Sequence, residues 1–389
     1  MLINNNHLRA FCGIWSFATV LFTGPAHAQC VPGDSWTLTS APDDTWASVA
    51  SAADGTRLVA ADYGGGIYTS TNSGGTWSLT SAPNENWTFV ASSADGTHLV
   101  AVAYEGGIRT STDSGATWAL TSAPTEIWIS VASSADGTHL IAAAYDGGLY
   151  TSTNSVGTWL MTSAPSNSWQ SVASSADGSH LIAVVNNGGI YSSTNTGSTW
   201  TMTSAPSNYW QSVASSADGS HLIAVIYEGG IYTSTNSGAT WTATGAPSET
   251  WQAVASSADG THCVAVAYGK GIYTSANSGG SWSLTSAPRA TWFAAASSAD
   301  GSQLIAAAVI EDGIYVSSCL GTNCCPLSIS NGVVPGTMVI NWPCGALQSA
   351  STVNGPLSAP YADVPGAASP YTISISNAPP HVFYRTRCN

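Results

Sequence analysis

Charge is scarce in this sequence of 389 residues. Only 7% are Asp, Glu, Lys or Arg, and 7 basic residues face 21 acidic ones. A net charge of −14 argues against nucleic acid and anionic membrane as partners, because both attract basic surfaces. Long apolar runs are missing too. The stretch "FCGIWSFATVLF" is too short and too poorly flanked for a membrane span. It follows Arg9 and precedes Ala26-His27-Ala28, a small-x-small cleavage pattern, so residues 1–28 read as an export signal. Gln29 precedes Cys30 where a lipid-anchored protein would carry a small residue, so no lipid anchor is expected. The expected location is secreted, periplasmic or extracellular. Metal and cofactor signatures are also lacking: there is no HExxH, zinc-type CxxC pair, EF-hand loop or phosphate-binding Gly loop.

Aromatic residues, by contrast, abound and recur. Trp36, Trp77, Trp118, Trp159, Trp200, Trp241 and Trp282 are spaced by 41 residues. Trp46, Trp87, Trp128, Trp169, Trp210, Trp251 and Trp292 keep the same interval, as does the Asp series from Asp54 to Asp300. Within one unit, "WTFVASS" reads as a strand, "ADG" as a turn and "THLVAVAY" as a second strand. "EGG" then turns into "IRTST", and after "DSGA" comes "TWALT". Four short strands with Gly/Asp/Asn turns predict one antiparallel sheet per unit. A period near 40 with four strands per unit predicts an all-β fold, a seven-bladed β-propeller. Packing the sheets around an axis would bury faces that no single sheet can cover.

The tract "STDSGATW", Ser111–Trp118, resembles the Asp-box of the sialidase-like, BNR-repeat propellers. Further copies start at Ser70, Ser152, Ser193, Ser234 and Ser275. Asp113 keeps the aspartate, whereas Asn72, Asn154, Asn195, Asn236 and Asn277 replace it; Asn supports the same turn. The resemblance covers about residues 30–318. It implies the fold and places the boxes on the face away from the functional site. Sialidase activity is not expected, because the R-I-P motif is missing and Arg57, Arg109 and Arg289 sit at three different positions of the repeat.

The last unit lacks a fourth strand, and the N-terminal "SWTLT" is a fourth strand lacking its first three. The two are expected to pair and close the ring, locked by a Cys30–Cys319 disulfide that would contribute roughly 2–5 kcal/mol; the alternative is a disordered Cys30, with Cys319 pairing into the tail. Residues 29–319 would then form the propeller. Cys263 takes the place of a leucine in other units and is expected to be a buried, unpaired thiol. From about 320 to 389 the composition changes. "LQSASTVNGPLSAPYADVPGAASPYTISISNAPPHVFYRTRC" resembles a small β-sandwich module appended to exported bacterial proteins. Cys324, Cys325, Cys344 and Cys388 are expected to form two bridges of unassigned pairing there, with an accessory role.

"ASSADGTHL", Ala91–Leu99, gathers Ser, Asp and His as a hydrolase would. It recurs in every unit, however, whereas a triad needs one set drawn from separate elements. It reads as a hairpin. The recurring His98, His139, His180, His221 and His262 read as exposed polar residues at strand starts. They are not a metal ring, since adjacent sheets lie roughly 10 Å apart. No catalytic residue is assigned.

Function is sought where near-identical units differ. The loop after "SAP" and the loop between the second and third strands both vary, and in a propeller both open on one face. That face would carry Asp43, Asp44, Glu85, Glu126 and Glu249. The candidate binding residues are Tyr63, Tyr104, Glu105, Tyr145, Asp146, Tyr227, Glu228 and Tyr268, and the Trp46 series is a further candidate, with blade packing as its other reading. An aromatic, acidic rim suits a carbohydrate or a basic protein surface. The expected function is a monomeric, non-enzymatic binding module; a carbohydrate-active hydrolase and an assembly factor are the alternatives.

Overall fold

The structure, a computed structural model, describes residues 33–154, 158–309 and 313–318, plus six strands between 328 and 387. The expected export signal, the expected Cys30–Cys319 pair and the expected bridges of Cys324, Cys325, Cys344 and Cys388 lie outside the described residues.

In the unit that begins at Trp87, strands Trp87–Ser92, Leu99–Ala103, Ile108–Ser111 and Ala119–Leu120 pair antiparallel in chain order. The second strand, LVAVA, is buried at every position. Strand alternation explains why. Leu99, Ala101 and Ala103 face the preceding unit's Val59 and Ala61, while Val100 and Val102 face the next unit's Trp128, Val131 and Leu140. Each sheet thus contributes to two cores. The same pattern recurs along the chain, and the Trp46-series side chains are fully buried. That burial settles their role as blade packing and removes them from the rim. The fourth strands are two residues long and exposed, shorter than the sequence pattern implied.

Two sets of backbone bonds join the units. On one face, the Ala94 N–H donates to the Ala135 carbonyl at 2.8 Å. The same bond links Ala53 to Ala94, Ala135 to Ala176, and onward through Ala217 and Ala258 to Ala299. Ala299 then returns to Ala53 at 2.8 Å, so the cycle closes. On the opposite face, the loop between the second and third strands pairs with the entry loop of the following unit, as at Tyr63↔Asn86 and Gly106↔Glu126. Between Leu181–Gly188 and Asn208–Ser215 this bridge becomes a short ladder, merging two sheets into one of eight strands. The first strands pack in cyclic order, with Trp292–Ser297 against Trp46–Ser51. The architecture is a β-propeller.

As the sequence predicts, Thr37–Leu38 pairs with Ile314–Ser318 and completes the sheet of Trp292–Ser297 and Gln303–Ala308. Trp36 packs on Trp292 with ring centroids 6.4 Å apart.

The propeller strands form one compact unit, Pro32–Ser318. The strands beyond it form two three-stranded antiparallel sheets. One orders Ser328–Asn331, Thr337–Asn341 and Tyr371–Ser374; the other orders Ala362–Asp363, Ala346–Ala350 and Phe383–Arg387.

Candidate functional site

The face carrying the repeated "SADG" hairpins is bonded to itself. The Ser93 hydroxyl donates to Asp95 at 2.6 Å, and Asp95 accepts the Thr97 N–H at 2.9 Å. Ser93 Oγ also accepts the His98 N–H at 3.0 Å. Those bonds hold the Asp95 carboxyl down at about 2. Serine, aspartate and histidine therefore meet as a turn, with the histidine joined to the serine through its backbone. The histidines are half-buried rather than exposed, which corrects the sequence reading. A methyl group built on Gly137, where φ is +74°, would lie 2.4 Å from His98 Cβ. His139, His180, His221 and His262 meet the glycine of the following hairpin in the same way. They are spacers between units, and among the described residues no cluster of metal-ligating side chains is found.

The Asp-box turns lie on this face as well. Asp113 accepts the Thr117 N–H at 2.8 Å, and Asn72 accepts the Thr76 N–H at the same distance. Asparagine thus preserves the turn, as expected.

On the other face, backbone bonds tie the two variable loops together. The Tyr104 N–H donates to the Asn86 carbonyl at 2.8 Å, and Tyr63, Tyr145, Tyr227 and Tyr268 bond to their own entry loops in the same way. All five tyrosines are exposed, between 39% and 46%. Glu105, Asp146 and Glu228 follow three of them with φ of 50°, 52° and 54°, in the left-handed region, and all three are exposed.

These residues do not form one continuous ring. Tyr104 and Glu105 line a groove of about 520 Å³ with Asn84, Glu85, Asn86 and Arg109. Arg109 Nη2 donates to Glu85 at 2.8 Å and its Nε at 3.0 Å. Tyr227 and Glu228 line a groove of about 740 Å³ with Asn186, Asn208, Tyr209 and Tyr232. The Asp146 carboxylate is held by the Ser168 hydroxyl. Tyr63 stands instead at the axial cavity. The entry-loop acids are partly engaged: Tyr150 donates to Glu126 at 3.4 Å and Tyr273 to Glu249 at 3.3 Å. Burial, and then the neighbouring glutamate, push both phenols above their ordinary range.

The axis adds a site that the loop comparison did not find. In every unit the first-strand register shifts immediately after the tryptophan, as between Trp87↔Ala103 and Phe89↔Val102. The extra residue bulges out of the ladder, and such bulges re-aim side chains. The bulged positions at Ala47, Thr88, Ile129, Gln170, Gln211, Gln252 and Phe293 all line one cavity of about 280 Å³. Its signal in the sequence was the variable residue after each invariant tryptophan.

The sequence matches no protein-family model and no curated protein. Solved structures resemble it. YCF48 from Cyanidioschyzon merolae superposes with a TM-score of 0.58 at 15% identity, covering 73% of this chain and 98% of that one. A structure of YCF48 bound to D1 peptide gives 0.58 at 13% identity, covering 75% and 98%. At such identities the likeness carries the propeller fold alone.

Proposed function

We propose that this chain is an exported, seven-bladed propeller that binds a segment of a partner protein on its rim face, without catalysis. The observation that carries this reading is the pair of rim grooves, each walled by exposed tyrosine and carboxylate on rigid, cross-bonded loops. The closed cycle of backbone bonds through Ala53 and Ala299 supports the blade count. A propeller of the same fold has been solved with a peptide bound, which supports polypeptide as the ligand class. Tyrosine contributes a broad, stiff contact surface with a polar tip, and the carboxylates favour basic residues in the partner. The tail strands are read as an accessory module.

The test is a peptide array probed with the purified full chain. Peptides containing Lys or Arg should bind, and added salt should weaken them as it screens the rim. Replacing Tyr104 and Tyr227 by Ala, with Glu105→Gln and Glu228→Gln, should lower affinity at least about tenfold, or about 1.4 kcal/mol. Unchanged affinity in that variant would reject the rim. The groove of Tyr209 and Tyr227, flanked by the amides of Asn186 and Asn208, favours a second reading, a neutral sugar. Glycan-array binding lost in Tyr209→Ala, with no peptide bound, would establish that reading instead.

A further inference from the structure

The axial cavity is chemically divided. Consecutive units contribute Gln170, Gln211 and Gln252 on one arc, while the other runs from Phe293 through Ala47 and Thr88 to Ile129, with Phe89 next to Thr88. Among the described residues, no Asp, Glu, Lys, Arg or His lines it. Phe293 is 39% exposed, a large ring left uncovered. The Gln211 side-chain amide donates to the Gln252 side-chain oxygen at 3.3 Å. That one bond uses a single hydrogen of one amide and a single lone pair of the other. The pair retains N–H donors and carbonyl acceptors next to each other, and reversing the bond would leave the same set. Adjacent donor and acceptor match the edge of another amide. The apolar arc matches the side chain beside it.

We propose that the axial cavity is a second binding site that captures an uncharged, carboxamide-bearing tip of a partner polypeptide. The amide edge would meet Gln211 and Gln252, and an adjoining aliphatic side chain would lie against Phe293 and Ile129. This deepens the reading of the chain as a protein binder and rests on it for the choice of polypeptide over other neutral ligands. A charged group would lose hydration there without gaining a counter-charge. Tyr63 belongs to both the rim loops and the cavity lining, so the cavity opens on the rim face, where a partner bound in the grooves can reach it.

Gln170, Gln211 and Gln252 are three of only six glutamines in the chain, so ¹⁵N-glutamine labelling of the full protein yields a short, assignable side-chain spectrum. The probes are N-acetyl-Leu-Asn-amide, its charged isostere N-acetyl-Leu-Asp-amide, and methyl glucoside. The Asn peptide should shift the Gln211 and Gln252 amide signals saturably, with the Asp peptide at least tenfold weaker. Gln211→Leu with Gln252→Leu should cost at least tenfold in affinity at an unchanged melting temperature, and Tyr227→Ala should have no effect. Equal binding of both peptides, unmoved glutamine signals, or tighter binding of the glucoside would overturn the proposal. Array peptides that bind the rim while the dipeptides leave the glutamines unmoved would reject the axial site alone. The converse would leave it standing without the rim.

Discussion

The Asp95 carboxylate shows how one residue type serves structure at one end of the molecule and remains available at the other. It accepts the Thr97 N–H and the hydroxyls of Ser93 and Thr97, and Asp136, Asp177, Asp218 and Asp259 repeat that arrangement. These bonds hold all five carboxyls at about 2, below the ordinary value of 3.8. The unfolded chain therefore binds more protons than the folded one across that interval. Stability should be fully present above about pH 4 and should decline as pH falls toward 2. Urea midpoints measured at pH 5 and pH 3 should drop in the wild type, and the drop should be smaller in Asp136→Asn. An equal or larger drop in that variant would contradict the turn's role. Cys263 obeys similar local logic. At 4% exposure it sits where neighbouring units place leucine, and burial pushes its thiol up to about 12. The sequence made this buried position legible because the repeat supplied the leucine for comparison. The histidines were harder to place, since only the ring brings His98 against Gly137 of another unit.

Among the elements, the sheet that combines both ends of the propeller is the most informative. Thr37↔Val316 and Leu38↔Tyr315 are its only two register pairs from the N-terminal strand. Added to these are the Thr39 N–H to the Ile314 carbonyl at 2.8 Å and the Trp36 ring on Trp292. A chain beginning after Ser40 would lose all of them and leave Ile314–Ser318 as an open edge, a template for pairing with other chains. We expect it to be about 3 kcal/mol less stable or worse, judged from losses on removing packed tryptophans, and to self-associate. Denaturant unfolding with sedimentation would measure both; a monomer of wild-type stability would refute the closure. The closing strand was readable because a missing fourth strand at one end matched a spare one at the other. The bulge after each tryptophan was not. A one-residue register shift breaks the apolar alternation at a single position of a six-residue strand, and only the variable residue after each tryptophan marks it.

For the whole molecule, the repeat makes the units alike and the differences between them define the faces. One face is bound by near-identical hairpins whose carboxylates and backbone groups answer to one another, with a histidine in five of them. The other carries the loops that vary, with their exposed tyrosines and acidic residues, and the mouth of the axial cavity. The sequence identified the two variable loops but joined their residues into one ring. The structure separates them into distinct grooves, because each loop pairs with the following unit and the pairing differs from junction to junction. The central claim is that ligand binding belongs to the rim face. Amide hydrogen exchange on the full chain, with and without its tightest array peptide, tests it most directly. Protection should rise at Tyr104–Gly107 and Tyr227–Gly230 and stay unchanged at the hairpins around Asp95 and Asp218. Protection confined to those hairpins, with the rim loops unaffected, would contradict the account.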